Sequence, residues 1–85
     1  MKTYTYKSHY GWASSTDIFK GEETEGVTVT TMKRFGGKTS TTVSKIKRLS
    51  ETAFQVLGLI SSTPHVGKAT EKNVRKWHEE ILKTL

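Results

Sequence analysis

The chain opens on a period of two. Tyr4, Tyr6, Tyr10 and Trp12 fall on even positions and Thr3, Thr5, Lys7 and His9 on odd or intervening ones, so an extended backbone separates an aromatic face from a polar one. Two further runs, Trp12 to Phe19 and Gly26 to Phe35, are rich in Thr, Val and aromatic residues. Between them lies the stretch Lys20, Gly21, Glu22, Glu23, Thr24 and Glu25. This is the pattern of a β-hairpin closed by an acidic loop.

After Gly36 and Gly37 the period lengthens. Val43, Ile46, Leu49, Ala53, Phe54, Leu57 and Ile60 share one face of a helix, with Ser44, Lys47, Arg48, Glu51, Thr52 and Gln55 on the other. A strand over Ser40 to Lys47 competes on Thr and Val content, but it puts Val43 and Ile46 on opposite faces, which favours the helix. Ser61, Ser62, Thr63, Pro64 and Gly67 read as a connector. A second helix is predicted from Thr70, a good N-cap with Glu71 in the first turn. Val74, Trp77, His78, Ile81, Leu82 and Leu85 line its inner face, and Lys72, Arg75, Lys76, Glu79 and Lys83 its outer one.

The expected architecture is α+β: a small antiparallel sheet of two or three N-terminal strands followed by two packed C-terminal helices, in one domain over residues 1–85. The stripe of Tyr4, Tyr6, Tyr10 and Trp12 is then either the sheet face beneath the helices or a stacking platform for unpaired bases. The apolar helical faces need a partner surface, which favours burial.

Size and composition narrow the classes. A chain of 85 residues buries only about 60% of the surface its unfolded form exposes. A core this small is often completed by a partner or a second subunit, so homo-oligomerisation is expected. The absence of cysteine excludes disulfides and thiolate metal sites. No apolar run approaches the roughly 18 residues of a membrane span, and Met1 to Gly11 lacks an apolar signal core; the expectation is a soluble, cytoplasmic protein.

Charge supplies the sharpest signal. The formal net charge is +6, and Gly26 to Ser50 carries Lys33, Arg34, Lys38, Lys45, Lys47 and Arg48 without a single acid, which leaves the remainder of the chain balanced. Such a local field attracts polyanions. Within it, Gly36, Gly37, Lys38, Thr39 and Ser40 resemble the tail of a Walker A loop. The full pattern needs a glycine where Met32 stands, and the chain has no room for a nucleotide domain. Two readings stay open: a glycine turn without function, or an anion site in which Lys38, the hydroxyls of Thr39, Ser40 and Thr41, and a helix start hold a backbone phosphate. Cations around a helix N-terminus gain nothing from its dipole, which is an argument for a bound polyanion.

Arg and Lys mixed with hydroxyls suit phosphate and sugar contacts, which position a nucleic acid without reading its sequence. The candidate nucleic-acid-binding residues are therefore Lys33, Arg34, Lys38, Thr39, Lys45, Lys47 and Arg48, with Lys72, Arg75 and Lys76 as secondary contacts. Enzymatic signals are thin: Asp17, Glu22, Glu23 and Glu25 mostly occupy a solvated loop, and His9, His65 and His78 lie on three separate elements. No catalytic residue, metal site or cofactor is assigned.

The basic Thr-rich middle, with Lys33 to Ser40 and Val43 to Arg48, and the helical C-terminus resemble the small accessory proteins of T4-like phages, the toxIN inhibitory factors in particular. That resemblance implies a phage counter-defence protein in the cytoplasm of an infected bacterium that binds RNA and, with RNA, inhibits an endoribonuclease toxin. The alternatives are direct, RNA-independent inhibition of a nuclease or another host defence protein, and a DNA-associated phage structural protein.

Overall fold

The computed structural model describes residues 12–19, 24–33, 38–50 and 52–85. Four strands, β1 (Ala13–Phe19), β2 (Glu25–Lys33), β3 (Thr39–Arg48) and β4 (Phe54–His65), are followed by one helix, α1 (Glu71–Leu82). The strands form one antiparallel sheet in the order β1-β2-β3-β4, so each pairs with its neighbour in sequence. The expected β1–β2 hairpin is present, with Ala13 opposite Met32 and Phe19 opposite Gly26.

The two-helix expectation is overturned. Residues 43–60, assigned above to a first helix, form most of β3 and the first part of β4, and the segment from Ser61 to Pro64 continues β4 rather than connecting two helices. Both signals that misled have a physical origin. Val43 and Ile46 do point to opposite faces, yet they are 3% and 2% exposed, because both faces of the sheet are covered at β3. The spacing of three in β4 comes from two register shifts: Val43 pairs with Ser61 but Ser44 with Leu59, and Lys45 pairs with Gly58 but Ile46 with Val56. Each shift inserts one extra residue, Ile60 or Leu57, so the period of two becomes locally a period of three. Pro64 is compatible with this strand because β4 is an edge.

The helix at the C-terminus forms where its sequence predicts. The Thr70 side chain accepts a hydrogen bond from the Asn73 backbone N–H at 3.2 Å, and Glu71 occupies the first turn. Val74 and His78 are buried beneath it, with Trp77, Ile81 and Leu82 half-buried and Leu85 exposed. The helix lies mainly over β2, with β1 and β3 to either side. On the opposite face the Phe19 ring is fully buried, stacked 6.2 Å from Phe54 and covering Gly26. Of the aromatic stripe, Trp12 is half-buried, and Tyr4, Tyr6 and Tyr10 lie outside the described residues.

Candidate nucleic-acid interface

A hairpin separates what the sequence places side by side. β2 and β3 pair from Glu25 opposite Lys47 to Lys33 opposite Thr39, so Lys33 and Lys38 flank the turn, whereas Lys45, Lys47 and Arg48 stand at the far end of the same ladder. Eight residues of strand put about 25 Å between those ends. The five described cations of this stretch therefore do not converge on a helix start. No helix begins at Thr41, so the expected corner lacks the helix start that it was built on. Arg34, Gly36 and Gly37 lie outside the described residues. Thr39 is 1% exposed, so its hydroxyl does not face a bound strand.

Two of the far-end cations have partners within the fold. Lys45 stands 4.0 Å from the Glu25 carboxylate, and the Arg48 guanidinium lies over the Phe19 ring, 4.3 Å from its centroid. That contact ties Arg48 into the packing of the helix-free face. Lys47 is exposed.

The turn end gains cations that the sequence ranked second. His65, the last residue of β4, pairs with Thr39, and six residues later α1 begins, so its first turns rise from the end that holds Lys33 and Lys38. Lys68, Lys72, Arg75 and Lys76 are all exposed there. Lys72, Arg75 and Lys76 line a shallow surface depression with Glu71 and Glu79. Arg75 bonds Glu71 at 3.3 Å while its guanidinium lies 5.6 Å from the centre of the Trp12 ring. The signal for this grouping was absent from the linear charge count, because it depends on β4 ending at the turn side of the sheet.

An aromatic pair belongs to the same end. The His65 and Trp77 rings stack with centroids 4.7 Å apart and planes 3° from parallel. His65 is held from below by a chain of side-chain hydrogen bonds that crosses the sheet under α1. Its Nε2 lies 2.6 Å from Thr41 Oγ1, which lies 2.7 Å from Thr31 Oγ1; Thr31 is 3.3 Å from His78 Nδ1, and His78 Nε2 is 2.6 Å from Thr16 Oγ1. Thr31 and Thr41 are fully buried, and Thr16 and His78 nearly so.

Two proton arrangements satisfy every link between neutral imidazoles. In one, His78 Nδ1–H donates to Thr31, Thr31 to Thr41, and Thr41 to His65 Nε2, while Thr16 donates to His78 Nε2. In the other every arrow reverses, and both imidazoles carry their proton on Nε2. The two tautomers are thus coupled through two hydroxyls. One extra proton fits at either end, but a second leaves one of the two central hydroxyls without an acceptor in the chain. Burial pushes both imidazoles below the 6.5 of a free histidine, opposed more weakly by Glu80 at His65 and by Glu79 at His78.

Among the described residues no group of three or more His, Asp or Glu could hold a metal ion, and no helix is long and apolar enough to cross a membrane. No protein-family model, curated protein or solved structure matches the chain.

Proposed function

We propose that this protein binds RNA through its phosphate backbone, without cleaving it, at the turn end of the sheet. Lys33, Lys38, Lys72, Arg75 and Lys76 form the contact surface, and Lys68 extends it. The observation that carries the reading is topological: two basic groups far apart in sequence, one at the β2–β3 turn and one on the first turns of α1, are folded to one end of the sheet. A surface of exposed lysines and one arginine, whose guanidinium is already bonded to Glu71, favours positioning over sequence specificity. The Trp77–His65 stack beside it offers an aromatic rim of the kind single strands use. A binder fits better than a nuclease because both described imidazoles are engaged, His78 by Thr16 and Thr31, His65 by Thr41 and Trp77. The resemblance to toxIN inhibitory factors makes an endoribonuclease toxin the protein target of such an RNA complex.

Fluorescence anisotropy with a labelled single-stranded RNA over a salt series tests this. The logarithm of affinity falls by about 0.7 per phosphate contact per logarithm of salt, so five contacts give a slope of about −3.5. A slope shallower than about −1, or equal affinity for a neutral polymer, contradicts the reading. Purification with and without RNase, followed by the 260/280 absorbance ratio, asks whether RNA travels with the protein in cells.

A further inference from the structure

The two edges of the sheet are unlike. β1, at one edge of the described strands, is buried along Ala13 to Thr16. β4, at the other, is exposed or half-exposed along all 12 of its residues. It is also strongly apolar: Phe54, Val56, Leu57, Leu59 and Ile60 in the strand and Leu49 just before it are 41–66% exposed. Across the protein 26% of residues are charged, yet residues 52–67 contain no Lys, Arg, Asp or Glu. Edge strands are ordinarily guarded by such charges, lysine above all. Here the guard is missing along β4, whose outer backbone groups have no neighbour among the described strands.

We propose that β4 is the interface at which a second copy of this chain docks, β4 against β4 about a two-fold axis, to give a closed dimer. Charge selects the occupant. Two bodies of net charge +6 repel wherever their lysines face, so self-association requires a surface free of charge, and β4 with its flanks is that surface. The same neutrality gives a polyanion or an acidic protein nothing to hold. An antiparallel pair of identical edges is self-complementary, each strand offering the other its free N–H and C=O groups and the same apolar side chains. A two-fold β4–β4 contact uses that edge of both chains at once, which ends the assembly at two rather than propagating a fibre.

Geometry defines the contact further. The register puts Phe54, Val56, Leu59, Ser62 and Pro64 on the face opposite α1, with the inserted Leu57 and Ile60 at the two bulges. Pro64 cannot donate, so backbone pairing is confined to the strand before it. Leu49, Phe54, Val56, Leu57, Leu59 and Ile60 supply the apolar part of the contact on each chain. The turn end with its lysines stays outside the contact, and a dimer presents two such ends.

The test uses RNase-treated protein, so that bridging by RNA is excluded. Sedimentation equilibrium of the wild type at tens of micromolar should give twice the chain mass, and the double variant V56K/L59K should give the chain mass with an unchanged far-ultraviolet spectrum. A wild type that stays monomeric, or a folded double variant that stays dimeric, overturns the proposal. A second readout needs no added charge. The protein has no cysteine, so L59C should form a disulfide-linked dimer on mild oxidation, whereas D17C on β1, three strands away, should not. Equal cross-linking of the two, or none at L59C, also overturns it.

Discussion

At the residue scale the most demanding feature is a core built from hydroxyls and imidazoles. Ser14, Ser15, Thr16, Thr31, Thr39, Ser40, Thr41 and His78 are all buried; Ser15, Thr16, Thr31, Thr41 and His78 offset the cost of burial with side-chain hydrogen bonds, whereas Thr39 Oγ1 and Ser40 Oγ have no partner. His78 is the hinge of this network, since it touches Thr16 on β1 and Thr31 on β2 at once. Replacing it by alanine removes two links and leaves Thr16 without its ring partner, a loss of about 2–3 kcal/mol. Thermal unfolding should then drop by about 10 °C or more, at 4–8 °C per kcal/mol for a domain of this size. The lowered pKa values also fix the sign of the pH dependence. The unfolded chain binds protons at 6.5 while the folded one resists them, so stability is full above that pH and declines as pH falls below it. Melting curves between pH 8 and pH 4.5 check this, and the decline should be shallower in H78A. Nitrogen chemical shifts of His65 and His78 would report the coupling of tautomers, which T31V should abolish.

At the element scale one glycine is indispensable and another is not. A side chain at Gly26 would collide with the Ile18 carbonyl and with the Phe19 ring that lies over it, so G26A should lower the melting temperature by about 8 °C or more. Gly58 meets nothing within 4 Å, and G58T should be neutral or slightly stabilising, because a β-branched residue suits the pleat better. The same scale shows which parts of the fold could be read in advance. The β1–β2 hairpin and α1 were legible, because alternation in Val27, Val29 and Thr31 and the Thr70 cap are local signals. β3 and β4 were not. Burial on both faces of β3 removes the contrast that marks a half-buried strand, and two bulges give β4 the spacing of a helix. Thr39 to Val43, four β-formers in five residues with Ser40 as the exception, outweighed helical spacing once the sheet supplied partners.

At the scale of the whole molecule, charge and apolar surface are kept apart. The meander carries its cations to two opposite ends of the β2–β3 ladder, α1 reinforces one of those ends, and the uncharged β4 occupies an edge. Of the candidate site, the position of Lys33 at the end of a strand was legible from its run of β-formers, whereas the strand nature of β3, which carries Lys45, Lys47 and Arg48 to the far end of the ladder, and the return of β4 ahead of α1 were not. The central claim is that the turn end, and not the far end, holds RNA. Its most direct test compares two charge reversals by anisotropy on one single-stranded RNA at fixed salt, with folding checked by circular dichroism. K38E/K72E/K76E should weaken binding at least tenfold and flatten the salt slope by about 2 units, at about 0.7 per lost contact, whereas K45E/K47E should change affinity less than threefold. Full affinity in the folded triple variant, or a greater loss in the K45E/K47E pair, would contradict the account.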